Sequence, residues 1–164
     1  MNDVEWIEVR SRRKGDLRCD RPEPKNENDL QFSFQHTLAA AMLDGDVGLE
    51  HFTPRAVVNP RLKEARSRVK FIPAPDDLSV NILGDAMGDA AHVVIKTKDG
   101  RTLEKEKPYA LGHFKDPLSM EQFQGLYRKF TRGIMPEKNI SKSMEAILNL
   151  EKMKNMKDVI NMLA

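Results

Sequence analysis

Cysteine is almost missing from this chain. Cys19 is the only one among 164 residues, so no internal disulfide can form. A reducing cytoplasm is the default setting for such a composition, and a lone Cys in a charged loop reads as a free surface thiol rather than a nucleophile. Aromatics are also scarce at 6%, with one Trp and two Tyr against nine Met. That balance speaks for adaptable apolar faces and against an aromatic binding platform. Neither sign of charge dominates: 27 Lys and Arg face 25 Asp and Glu, a formal net charge of +2. So small an excess argues against electrostatically driven nucleic-acid binding. No apolar run approaches the roughly 20 residues of a membrane span. The start, Met1-Asn2-Asp3-Val4-Glu5, lacks the charged-then-apolar order of a signal peptide. Four His and one Cys are scattered without metal-ligand spacing. Gly84-Asp85-Ala86-Met87-Gly88 lacks the Lys-Ser/Thr ending of a phosphate loop, and neither a Gly-x-Gly-x-x-Gly nor a nucleophile elbow is present. Neither a metal nor an organic cofactor is expected. There are no internal repeats and no low-complexity tracts.

What is there centres on one stretch, Phe32-Ser33-Phe34-Gln35-His36-Thr37-Leu38-Ala39-Ala40-Ala41-Met42-Leu43-Asp44-Gly45. Leu38 to Leu43 is apolar at every position, which predicts a helix over about 31–44 with no face left for water. Three consecutive alanines leave room for another backbone, and Gly45 is a helix stop. Gln31, Ser33, Gln35 and His36 put polar side chains at the helix start, beside its free N–H groups and positive dipole end. A polar mouth of that kind suits a small anion such as a carboxylate.

Around this stretch the pattern alternates between strand and helix signals. Val4, Trp6 and Val9, with Ile7 beside them, alternate with Glu5, Glu8 and Arg10 as a strand with one wet face. Residues 11–29 are polar and rich in turn formers; Arg12, Arg13, Lys14 and Arg18 in that loop could guide anions or simply be solvated. Thr53-Pro54 and Asn59-Pro60 each pair an N-cap with a first-turn proline and predict two short helices. Strands are expected over 68–74 and 91–98, with residues 76–90 ambiguous between helix and loop. Asp99-Gly100 predicts a hairpin with a two-residue turn to a strand over 101–107. Ser119-Met120-Glu121-Gln122 has the form of a capping box, and its helix should carry Phe123, Leu126, Tyr127 and Phe130 on one stripe before Gly133. Ser141 is read as the cap of a further helix with Met144, Ile147 and Leu148 inward. A last helix uses Met156, Val159, Ile160 and Leu163. The order predicts an α+β fold: a small, mostly antiparallel sheet with helices on one face, then C-terminal helices. The domain reading is 1–115 for the α+β part and 116–164 for the closing helices.

Phe32-Ser33, His36, Ala39 to Leu43, Gly45, Val47-Gly48, Phe52-Thr53 and Asn59-Pro60 together resemble the C-terminal part of the MmgE/PrpD family. A second segment, Gly112-His113-Phe114-Lys115-Asp116-Pro117-Leu118-Ser119, matches a later motif at the expected separation. The family includes 2-methylcitrate dehydratase, cis-aconitate decarboxylase and iminodisuccinate epimerase. The resemblance implies a lyase that acts on a small di- or tricarboxylate, foremost a dehydratase, with a decarboxylase, an epimerase or a non-catalytic binding module as alternatives. It implies His36 as the catalytic acid/base, where the helix dipole favours the neutral ring; the same ring could equally serve only to hydrogen-bond a neighbour. Gln31, Ser33 and His113 are the implied substrate-binding residues, with Ser33 also readable as a helix cap and His113 as a surface residue beside a turn. Gln31 stands where many members have Lys, and Gln35 where Pro is common. The family's principal acid/base groups lie mostly in a helical domain. The resemblance therefore implies a helical partner subunit or a homo-oligomer, against which the 116–164 helices would pack.

Overall fold

The computed structural model describes residues 3–11, 18–73 and 91–163. The basic residues at 12–14 and the ambiguous stretch 76–90 lie outside them. The chain divides into two compact units, Met1–Asp116 and Pro117–Ala164.

The first unit is α+β. Four strands, β1 (Val4–Ser11), β2 (Val69–Pro73), β3 (Ala91–Thr97) and β4 (Thr102–Lys107), form one sheet in the order β2-β1-β3-β4. β1 runs parallel to β2 and antiparallel to β3, and β3 is antiparallel to β4. The doublet Trp6-Ile7 is resolved by a register shift between Val4 and Trp6. One extra residue there re-phases the strand. Ile7 and Val9 are buried with Val4 packed beside them, so Trp6 joins Glu8 and Arg10 on the opposite face. The even alternation that grouped Val4, Trp6 and Val9 is thereby corrected.

Among the described residues, five helices or turns lie between β1 and β2: α1 (Glu27–Gln31), α2 (Phe34–Asp44), a 3-10 turn (Leu49–Phe52), α3 (Pro54–Val58) and α4 (Pro60–Ser67). The central helix starts at Phe34, not near Gln31. Ser33 is extended and accepts the His36 N–H, while Gln31 ends a separate short helix capped by Asn26. A serine whose hydroxyl captures the third N–H onward is a stop as well as a start, because its own backbone must leave the helical region. Gly45 closes α2 in the left-handed conformation, φ +76°.

α2 is shared by two apolar clusters. Phe34, Leu38 and Met42 meet Ile7, Val9, Val69 and Phe71 of the sheet, with Phe34 and Phe71 stacked at 5.0 Å. Ala39 and Ala40 meet Leu30, Ala56, Leu62 and Ala65 on the other side. The small residues let the α2 and α4 backbones approach. Thr53 and Asn59 cap α3 and α4 as their sequences require, each followed by Pro at the first position. The β3–β4 hairpin forms, but its loop has three residues, Lys98, Asp99 and Gly100. Thr97 N–H donates to the Arg101 carbonyl and Gly100 N–H to the Thr97 carbonyl, each at 3.0 Å. Gly100 takes φ +89°, which fits a three-residue turn closed by a left-handed glycine rather than a two-residue turn.

The second unit holds α5 (Met120–Thr131), α6 (Glu137–Leu148), a 3-10 turn (Leu150–Lys152) and α7 (Met156–Leu163). Ser119 and Gln122 form the capping box of α5. Ser141 is not a cap: α6 begins four residues earlier, after Pro136, and Ser141 lies inside it. Ile140, Ser143, Met144 and Ala146 are buried while Ile147 and Leu148 are exposed, so the inward stripe is displaced from the Met144, Ile147 and Leu148 expected from sequence. Tyr127 Oη and Ser143 Oγ hydrogen-bond at 2.7 Å and join α5 to α6. Phe123, Phe130, Met156 and Ile160 are exposed.

The shared position of α2 sets the stability expectation. Ala40→Leu forces extra volume between α2 and α4 and should cost about 1–3 kcal/mol. Leu30→Ala, at a fully buried site, should cost about 2–5 kcal/mol. Val58→Ala, at 76% exposure, should change stability by about 0.5 kcal/mol or less. Urea denaturation midpoints of the three variants check the ranking.

Candidate functional site

The polar residues of the α2 entrance are buried in a network. His36 is completely inaccessible. Its Nε2 lies 2.6 Å from the His51 carbonyl oxygen. A carbonyl can only accept, so Nε2 carries the hydrogen and Nδ1 carries the lone pair. Arg66 Nη1 donates to that lone pair at 3.3 Å. The Arg66 contact requires the neutral ring, and the two contacts together fix its tautomer. Burial pushes the His36 pKa below its usual 6.5, and repulsion from Arg66 and His51 pushes the same way; the bond to the His51 carbonyl opposes them.

Each partner belongs to a different segment. His51, in the turn after α2, is buried itself. Its Nδ1 accepts the Gly48 N–H at 3.0 Å and its Nε2 donates to Asp44 Oδ2 at 2.9 Å. Arg66, on α4, is 5% exposed. Nη2 donates to the Val57 carbonyl at 3.2 Å, and the buried Nε has no partner. Burial lowers the Arg66 pKa from its usual range. Among the described residues no carboxylate pairs with this guanidinium. Arg66 lines a cleft of about 390 Å³, with Val57 and Val58 of α3, Lys63 of α4 and residues 22–25 of the preceding loop.

The helix mouth itself is filled by the chain. Phe34 N–H donates to the Cys19 carbonyl at 2.9 Å. Ser33 Oγ donates to the Arg21 carbonyl at 2.6 Å while accepting the His36 N–H. Gln35 Nε2 donates to Asp20 Oδ1 at 2.6 Å, and its Oε1 accepts the Arg21 N–H. Residues 19–21 thus occupy the place where the sequence suggested an anion. An acid/base role for His36 requires one of its ring contacts to open first.

The sequence-proposed site residues separate into three environments. Ser33 and His36 are brought together, Ser33 as the cap of α2. Gln31 is exposed at the end of α1. His113 lies on the loop after β4, stacked on Tyr109 at 4.8 Å, with Nδ1 accepting the Lys115 N–H at 3.1 Å. Arg66 and His51 were missed. For Arg66 a signal was present, since it sits on α4 beside the buried Leu62 and Ala65 at helical spacing, where a solvated cation is out of place. Among the described residues no group of three or more His, Cys, Asp or Glu converges as a metal site, and no helix is long and apolar enough to cross a membrane.

The profile of the MmgE/PrpD C-terminal domain matches residues 1–152. The chain belongs to the MmgE/PrpD family. Two MmgE/PrpD relatives are cis-aconitate decarboxylases. The one from Homo sapiens is 28% identical over 132 residues, which is 80% of this chain and 26% of that protein. The one from Mus musculus is 30% identical over 109 residues, 66% of this chain and 21% of that protein. This MmgE/PrpD chain thus spans about a quarter of the length of the curated relatives it matches.

Two measurements check the buried ring. Nitrogen-15 correlation spectra at pH 7 should show His36 as the neutral Nε2–H tautomer. A folded pKa below the unfolded one means the unfolded state binds the extra proton first. The His36 contribution to stability should therefore be complete above about pH 6.5 and be lost as pH falls toward the lowered folded value. Denaturation midpoints across that window measure it; a cationic His36 in the folded protein at pH 7 would contradict the geometry.

Proposed function

We propose that this chain supplies the C-terminal α+β part of a lyase that decarboxylates a small tricarboxylate of the cis-aconitate kind. The observation that carries the reading is the name shared by the Homo sapiens and Mus musculus relatives. It displaces dehydration of a 2-methylcitrate-like substrate as the first choice, although both reactions build negative charge beside a carboxylate. Loss of carbon dioxide leaves an electron pair on carbon, and the site must stabilise that charge and then deliver a proton. Arg66 gives this chain a buried cation near the α2 entrance, and His36 holds its guanidinium by the Nη1 contact. In this reading His36 is a positioning residue, and Ser33 fixes the helix that carries it. The proton donor and the remaining wall come from a helical domain, whether in the same polypeptide or in a partner subunit. The exposed apolar residues of α5 and α7, among them Phe123, Phe130, Met156 and Ile160, are the surface proposed to meet it or a second copy.

Carbon dioxide release from cis-aconitate tests this. The purified chain alone should release none. A chimera carrying this chain in place of the matching quarter of the Homo sapiens relative should release it. In that chimera His36→Ala should raise KM with a smaller change in kcat; a fall in kcat of about 100-fold at unchanged KM would instead make His36 the acid/base. Turnover by the chain alone would overturn the one-wall reading. A folded chimera without turnover would overturn the reaction.

A further inference from the structure

The second unit carries a cleft of its own. It has a volume of about 400 Å³ and lies between α6, the 3-10 turn after it and α7. Lys142, Glu145, Ala146 and Asn149 line it at helical spacing, so they share one stripe of α6. Its apolar surface comes from the buried Ala146 and the half-buried Met153 and Met162. Its charge comes from Lys142 and Lys152, with Glu145 the one carboxylate in the lining. Lys152 Nζ donates to Asn149 Oδ1 at 2.7 Å, and Asn149 Nδ2 donates to the Glu145 carbonyl at 3.0 Å. The amide thus ties the ammonium to the end of α6 without cancelling its charge. An ammonium has three donors and no acceptor, and this one spends a single donor on a neutral group. Among the described residues neither lysine is paired with a carboxylate.

We propose that this cleft binds a small amphiphile with one anionic head and an unbranched aliphatic chain, of the fatty-acid kind. The head sits on Lys152 and Lys142, and the chain runs along Ala146, Met153 and Met162. The volume of about 400 Å³ falls within the usual range of small-ligand sites, roughly 300–1,000 Å³. Methionine is unbranched and adaptable, so a pair of them conforms to a flexible hydrocarbon where branched side chains would dictate one shape. Ala146 leaves depth beside them. An ammonium already held by Asn149 gives up less side-chain freedom on binding than a free lysine does. A single negative charge fits better than several, because Glu145 stands in the same lining and repels a second one. The inference does not depend on the lyase reading. Its residues are also distinct from Phe123, Phe130, Met156 and Ile160 of the proposed docking surface.

Calorimetric titration of the whole chain with octanoate, butanoate and 1-octanol tests it, with carbon-13 methionine-methyl spectra to place the ligand. Octanoate should bind saturably at one site and shift the Met153 and Met162 methyl signals, leaving that of Met42 in the first unit in place. Butanoate should bind at least about tenfold more weakly, since it lacks the buried methylenes, and 1-octanol likewise for want of a charge. Lys152→Glu should weaken octanoate at least about tenfold, because a reversed charge beside the head is strongly unfavourable. Asn149→Asp should weaken it too, by giving Lys152 a carboxylate of its own. Lys105→Glu on β4, in the other unit, should change nothing. Lys152 is exposed, so its replacement keeps the fold. No saturable octanoate binding, a shift at Met42 in place of Met153 and Met162, equal binding of 1-octanol, or binding indifferent to Lys152→Glu would each overturn the proposal.

Discussion

One imidazole, hydrogen-bonded from both sides, joins the segments on which the first unit depends. His36 sits in the first turn of α2, donates to the turn after that helix and accepts from α4. Its ring can satisfy both partners only as a neutral group with the hydrogen on Nε2. The protonated ring would present a second N–H to a guanidinium that is itself only a donor. The neutral state is in turn secured by burial, which penalises the charged form. Packing and protonation state are therefore one constraint: α2, the 3-10 turn and α4 can close around the ring only while it is uncharged.

Arg66 carries the consequence of that arrangement. A histidine partner is neutral, so it orients the guanidinium without cancelling its charge. The Val57 carbonyl is a dipole and does no more. In most folds such a cation would be moved to the surface or given an Asp or Glu. Here it is kept within the apolar side of α4 and opens on a cleft that also holds two lysines. The packed helices on either side hold it in one fixed position.

The other long-range device is α2 itself. Its two faces belong to two cores, with Phe34, Leu38 and Met42 on the sheet and Ala39 and Ala40 against the helical layer. The large side chains face strands, where pleated surface leaves depth for them. The alanines face α4, where a second backbone needs the space. The bulge in β1 serves the same core, since without a shift between Val4 and Trp6 the strand could not present both Val4 and the Ile7–Val9 pair to α2.

Local signals were enough for much of this protein. The proline-led caps of α3 and α4, the capping box of α5, the glycine stop of α2, the existence of the β3–β4 hairpin and the α+β class are all decided within a few residues, because each rests on φ/ψ limits or a single side-chain-to-backbone bond. So was the family, from Phe32-Ser33 and the segments after it. Other features depended on contacts far along the chain. Ser33, the local cap of α2, is also covered by residues 19–21, whose Arg21 carbonyl takes its hydroxyl hydrogen. Ile147 and Leu148 stayed exposed while Ile140, Ser143 and Met144 took the buried side of α6. His36 found its partners 15 and 30 residues away, and Arg66 became a buried cation only when α4 closed on α2. Sequence alone determined which turns and caps could form, since those are local energies; tertiary structure decided which polar groups lost their water, since desolvation depends on everything that packs around them.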